Sequence, residues 1–320
     1  MAILEIIAFP MKKYYYIYRL RLILVLSGLA LLLAFNIIAF SLQFQCWFFV
    51  VVISVTGIPH GSMDFYLDKK VKEIDNVRFN IFKFYAAYLL KIAAYVVCWI
   101  YLPIPSLLFF LVITGLHFGE IDWMKHKKSG LNSVLYFTYG SLMIISLITA
   151  HFNETAPILF EIVKQANHQA QAVWFSNILS KYALLIWSSY FILLFFLRKK
   201  IDWTSKEYIL FALQTVVLMF LIYVLPFYLG FTFYFGFWHS ILSLDIIKSV
   251  VQLNDKRFNW FMMVKKAFPF ILVALLFVAV VIFSRLPVDS GQIVPGLFIG
   301  ISALTLPHLH VFSAAVKRYS

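Results

Sequence analysis

WFFVVVISVTGIPHGSMDF, residues 47–65, sets the fold question and the function question together. Its first part, Trp47 to Ile58, is an apolar run suited to lipid. Pro59, His60, Gly61 and Asp64 then follow within six positions, with the histidine and the acid one helical turn apart. Ionisable groups inside a membrane span are costly and usually functional. The first thing to establish is therefore whether the rest of the chain is also built for lipid.

It is. Hydrophobic residues make up 63% of the 320 residues and charged residues 13%, far less charge than a soluble domain of this size carries. Apolar runs of span length recur along the chain. Only helices and closed barrels satisfy their backbone in hydrocarbon, and these runs lack the alternation of barrel strands. The expected fold class is all-α: a polytopic integral membrane helix bundle, one transmembrane domain over residues 1–320. Ten spans are expected, at 22–40, 46–66, 81–101, 105–124, 132–151, 177–197, 206–224, 228–248, 264–284 and 293–316. A longer loop is expected over 152–176. The first run has no small-x-small cleavage site after it and reads as a span, not a leader.

The net charge of +13 does not point to nucleic acid, because the basic residues form no single patch. In the ten-span scheme, 23 of the 27 Lys and Arg fall on one side, which the positive-inside rule makes the cytoplasm, with both termini there. Cys46 and Cys98, the two cysteines, both fall near the outer face and are expected as free thiols.

The even-numbered spans run from outside to inside, and four of them carry a histidine. From His60 to Lys69 is nine residues, from His117 to Lys125 eight, from His239 to Lys248 nine and from His308 to Lys317 nine. At about 1.5 Å per residue, all four lie roughly 12–14 Å from the cytoplasmic edge. A single intramembrane histidine often only joins helices by a hydrogen bond. Four at one depth point to a metal site, and imidazole suits Fe, Cu, Zn and Ni. Pro59–His60 and Pro307–His308 repeat one arrangement, with a proline positioned to kink the helix beside the histidine. Gly57, Gly61, Gly115, Gly119 and Gly236 are expected to allow close helix approach.

Asp64 follows His60 by four residues and Glu120 follows His117 by three, so each pair shares a helical face. These carboxylates are expected to accept the second ring N–H of a ligand histidine. Asp122 is a further supporting candidate, and Asp245 is expected at a solvated helix end. Phe235 and Trp238, in the aromatic stretch FTFYFGFWHS (231–240), are candidates to line a slot for a long apolar ligand. The chain has no P-loop, no dinucleotide-binding glycine fingerprint and no H-E-x-x-H. It also lacks the histidine boxes of membrane desaturases.

GIPHGSMDF (57–65), HFGEID (117–122), FWHS (237–240) and LPHLHVF (306–312), in that order, resemble the Brp/Blh family of β-carotene 15,15′-dioxygenases. The resemblance implies a multi-pass iron enzyme of the inner (cytoplasmic) membrane. It would cleave the central double bond of β-carotene with O₂, using Fe(2+), to give two all-trans-retinal, often for a microbial rhodopsin. His60 and His117 match the family's first two ligand motifs and His239 its Trp-His-Ser motif. Some members carry another histidine one turn later, where this chain has Ser243. The expected fourth ligand is His308. Two residues along a helix turn about 200°, so His308 and His310 cannot both face one metal, and His308 has the matching depth and the preceding proline. Two other functions compete: a histidine-relay ion transporter, which would need polar sites staggered through the membrane, and a non-catalytic partner that hands carotenoid or retinal to a rhodopsin.

Overall fold

The computed structural model describes residues 2–123, 130–163, 169–201, 203–253, 255–283 and 290–319. The described residues are helical, with no strand among them. In chain order the helices are α1 (Ala2–Ile38), α2 (Leu42–Val52), α3 (Ile58–Ser62), α4 (Asp64–Ile74), α5 (Ile81–Tyr101), α6 (Pro103–Asp122) and α7 (Gly130–Ala150). There follow α8 (Phe152–Val163), α9 (Gln169–Leu197), α10 (Ser205–Val224), α11 (Phe227–Phe231), α12 (Ser240–Gln252), α13 (Trp260–Phe283) and α14 (Ser290–Tyr319). Two π-helical segments join pairs of these helices: Ile53–Gly57 leads into α3, and Thr232–His239 links α11 to α12.

Local chemistry sets several boundaries. Ser41 Oγ accepts the Phe44 N–H at the start of α2, and Asn80 Oδ1 accepts the Lys83 N–H at the start of α5. Thr204 and Glu207 form a reciprocal capping box at α10. Pro103 occupies the first turn of α6, where its missing N–H costs nothing.

Among the described residues, eight helices are long and apolar enough to cross a membrane: Arg19–Ile38, Leu42–Ile74, Ile81–Tyr101, Pro103–Asp122, Gly130–Ala150, Asn177–Leu197, Ser205–Val224 and Phe298–Ala315. The helices over the eighth and ninth expected spans are not among them. The eighth, running from α11 through α12, is buried along nearly its whole length. A helix wrapped by other helices needs no uniformly apolar exterior, and its Tyr, Trp, His and Ser residues lower its hydropathy. The ninth overlaps α13, part of whose side chains lie outside the described ones.

Two expectations need correction. The expected loop over 152–176 is helical in its described parts, as α8 and the start of α9. Lys69, Lys70 and Lys72 lie on α4, which continues the second span. Asp245 is no solvated helix end: it is buried and pairs with Lys248 at 2.7 Å, with that ammonium 4.4 Å from the centre of the Trp260 ring. Cys46 and Cys98 are free thiols.

The closest helix crossing is α6 on α7. A Cβ at Gly119 would lie 1.8 Å from Tyr136 O, and one at Gly140 2.0 Å from Gly115 O. Only glycine permits this approach, which fixes the helix that carries His117. Gly61 differs from the expectation. A Cβ there would meet nothing within 4 Å, so this glycine leaves open space instead of enabling contact.

Candidate metal centre

His60 stands in α3, just past the first π-helical segment. Pro59 has no N–H, so the regular helical bond cannot continue through it. The backbone adapts by widening: the Ile58 N–H bonds five residues back, to Ile53 O. The hydroxyls of Ser54 and Thr56 take the carbonyls of Val50 and Val52, each at 2.8 Å. His239 ends the second π-helical segment, where the Ser240 N–H and hydroxyl both reach back to Phe235 O. The two widened segments pack face to face. A Cβ on Gly236 would lie 2.7 Å from Val52 Cγ1, and one on Gly57 3.3 Å from Phe235 Cε1. His117 arrives on α6. His308 arrives on α14, which runs unbroken through Pro307.

All four imidazoles are buried, and they meet. One ring nitrogen each from His60, His117 and His239 can be chosen so that all lie within 4.8 Å of one another. Nitrogens bound to one ion at about 2.1 Å lie at most about 4.2 Å apart, so this trio needs only a slight contraction to hold a metal. The His308 ring centre is 4.7 Å from that of His60 and 4.9 Å from that of His117.

Both nitrogens of His117 and of His239, Nδ1 of His60 and Nε2 of His308 have no hydrogen-bond partner among the described residues. A buried polar atom left unpaired costs about 1–3 kcal/mol. Each neutral ring offers one lone pair, so the four rings that meet here can present four to a single cation. His310, two residues on, is exposed.

The carboxylates are placed differently from the sequence expectation. Asp64 does not serve His60. Its Oδ1 accepts His308 Nδ1–H at 2.7 Å and its Oδ2 accepts the Tyr88 hydroxyl at 2.8 Å. The four-residue spacing assumed one continuous helix, but a turn at Met63 separates α3 from α4 and aims Asp64 at α14. The Asp64 bond leaves His308 with its Nε2 lone pair free for a metal. Glu120 accepts Ser313 Oγ of α14 at 3.0 Å, while both His117 nitrogens stay unpaired. Asp122 accepts the Tyr234 hydroxyl and Trp238 Nε1, each at 2.8 Å. Beside it Arg21 donates to the backbone oxygens of Ile121 and Asp122 and to Gln214. Asp122 therefore ties α6 to the π-helical segment carrying His239 without touching a histidine. Ser243, one turn after His239, is fully buried, and its hydroxyl has no partner among the described residues.

The histidines line a cavity of about 250 Å³. Phe235 is one of its walls. Trp238 is not: it is fully buried against Asp122. Tyr85, Phe270 and Leu304 line the cavity and are also exposed, 43–48% each, so its mouth opens on the apolar outer surface of the bundle.

Two contributors carried no signal in the sequence. Tyr88 meets Asp64 from 24 positions away. Phe118 lies flat on His239, with ring centres 3.8 Å apart and an interplanar angle of 15°, and as one of 35 phenylalanines it could not be singled out.

Residues 51–315 match the family described as Beta-carotene 15,15'-dioxygenase. The chain is 26% identical over 281 residues to a protein named Beta-carotene 15,15'-dioxygenase from Uncultured marine bacterium 66A03, which covers 86% of this chain and 95% of that one. No solved structure matches.

Proposed function

The chain belongs to the beta-carotene 15,15'-dioxygenase family, and from that premise we propose how its own residues serve the reaction. His60, His117, His239 and His308 hold one Fe(2+) within a single ten-span domain of the inner membrane, both termini cytoplasmic. The substrates are β-carotene and O₂. Cleavage at the central double bond is balanced: one C=C and one O₂ become two C=O, giving two all-trans-retinal. That product would suit delivery to a microbial rhodopsin.

The observation that carries the reading is the convergence of unpaired histidine nitrogens on an apolar cavity open to lipid. A carotene has no ionisable group, so the reaction needs no acid or base from the protein. Ferrous iron, when bound, supplies the redox chemistry that lets O₂ react with a conjugated double bond. The residues do the rest. Asp64 takes the Nδ1 proton of His308 and so fixes its tautomer. Phe118 and Phe235 lie against His239 with ring centres at 3.8 and 5.6 Å and limit its rotation. The aromatic walls keep water from the reacting chain and orient it by shape alone. The mouth between Tyr85, Phe270 and Leu304 admits a substrate already dissolved in the bilayer.

The test is purified protein given Fe(2+), O₂ and β-carotene, with products separated by chromatography. Retinal is the expected main product. Longer apocarotenals would refute central cleavage. Bound iron without any product would make the chain a carotenoid-handling protein instead.

A further inference from the structure

Behind the histidines lies a second, smaller cavity of about 70 Å³. Its far walls include Trp99, Ile144, Leu147, Ile158, Ile162 and Phe227. Five residues, Phe110, Thr114, Phe118, Phe235 and Ile301, line both cavities and form the partition between them. The Phe118 and Phe235 rings stand 5.8 Å apart at 28°, and both lie against His239. One layer of aromatic rings therefore separates the small cavity from the metal centre.

Size and chemistry select the occupant. A benzene ring takes an apolar cavity of about 150 Å³. A space half that size cannot hold the methylated ring of a carotenoid, still less a twenty-carbon half of one. It admits molecules of only a few heavy atoms. Water is disfavoured, however, because it needs two to four polar partners. The two wall hydroxyls donate to backbone, Thr114 Oγ1 to Phe110 O at 2.6 Å and Thr155 Oγ1 to Ile148 O at 2.9 Å, and the cavity surface is almost wholly apolar, so neither oxygen is presented to it as an acceptor. Trp99 Nε1 has no partner among the described residues, but one donor does not hold a water. What remains is a small, apolar, uncharged molecule.

We infer that this cavity is a holding site for O₂, kept apart from the hydrocarbon site by the Phe118–Phe235 layer. The inference rests on the dioxygenase reading for its occupant but not for its physics. O₂ dissolves better in hydrocarbon than in water, so a dry pocket inside a membrane bundle concentrates it. The partition lets the two substrates approach the histidines from different sides. A long carotenoid filling the larger cavity then does not block the path of the gas.

Xenon is the probe, because it enters dry apolar cavities of this kind. Wild-type protein in nanodiscs should give saturable xenon binding by ¹²⁹Xe NMR. Filling the cavity from either of two helices, by Leu147→Phe on α7 or Ile158→Phe on α8, should abolish it. Both variants should keep wild-type metal content and an unchanged KM for β-carotene, while KM for O₂ rises severalfold. Two variants on separate helices guard against one failing to fold. Absence of saturable xenon binding by wild type would overturn the inference. So would a filled variant that raises KM for β-carotene or shifts the cleaved bond, since the cavity would then hold the hydrocarbon. If iron-loaded wild type gives no cleavage at all, the proposed function fails, and the occupant assigned here fails with it even where xenon binds.

Discussion

Gly119→Ala is the sharpest test of how the fold positions the metal centre. The added Cβ would lie 1.8 Å from Tyr136 O and 2.6 Å from its carbonyl carbon. Both are backbone atoms on α7, so no side chain can swing aside. To reach an ordinary contact of 3.4 Å, α6 and α7 must part by 1.6 Å along that line. Overpacking of this kind costs about 1–3 kcal/mol, and a backbone-to-backbone clash belongs at the upper end. Function should suffer more than stability. His117 stands two residues before Gly119 on the same helix and moves with it, while metal–ligand distances tolerate only about ±0.2 Å. Iron retention is expected to fall about 10–100-fold, as when a ligand's support is lost. The assay is the metal-to-protein ratio after purification, read beside the thermal unfolding midpoint and retinal yield. Gly130→Ala is the control, because a Cβ there meets nothing within 4 Å. Gly140→Ala acts at the same crossing, so the double variant should lose less than the sum of the singles. Wild-type iron content and cleavage in Gly119→Ala would refute the claim that this crossing places His117.

Asp64→Asn removes the carboxylate that holds His308 and should weaken iron binding about 10–100-fold, measured by competition with a chelator; Tyr88→Phe should do less. His308→Ala should abolish iron retention and cleavage, while His310→Ala, at an exposed position, should leave most of both. Asp122→Ala strands the Tyr234 hydroxyl and Trp238 Nε1 in the interior and should destabilise the protein by about 1–3 kcal/mol for each, read from unfolding in denaturant. Reporter fusions after Tyr101 and after Phe227 should both read as external; a cytoplasmic signal from either would break the ten-span topology.

Much of the fold was legible because lipid is a demanding solvent. A span must be about twenty apolar residues long, and that requirement marks the sequence directly. The eighth expected span, α11–α12, is not among the helices apolar enough to cross by composition, because it is surrounded by protein and nothing requires its exterior to be uniformly apolar. The common depth of the histidines was legible from simple counting, because rise per residue is nearly constant. Facing was harder. Assigning Asp64 to His60 assumed an unbroken 3.6-residue period, and the chain breaks that period twice nearby, at the widened turn over Ile53–Gly57 and at the turn at Met63. A π-helical turn has little sequence signature of its own. Pro59 hinted at the first one. The second contains no proline and depends on packing against Val52 and Thr56 through Gly236. Trp238 was misplaced for a related reason: in a dense aromatic stretch, composition cannot say which ring faces a cavity and which caps a buried acid.

The buried carboxylates and the buried imidazoles are treated differently, and the contrast between them argues for where the chemistry sits. Asp122 is fully buried yet accepts two side-chain donors, with Arg21 bonded to the adjoining backbone and to Gln214. Asp64 is equally well served by Tyr88 and His308. Such satisfaction is what a low-dielectric interior demands. Single buried atoms elsewhere, such as Ser243 Oγ and Trp99 Nε1, also lack a partner among the described residues, but at the histidines six such atoms lie on four rings from four separate helices. Satisfying them would have been easy, since serines and threonines stand on the same helices and bond instead to their own backbone, as Ser54, Thr56 and Ser240 do. A chain that pairs its buried carboxylates and leaves its buried imidazoles open has reserved the imidazoles for something it does not itself encode. The two widened turns make the same point through the backbone, because each gives up regular helical hydrogen bonding within three residues of a histidine in that group.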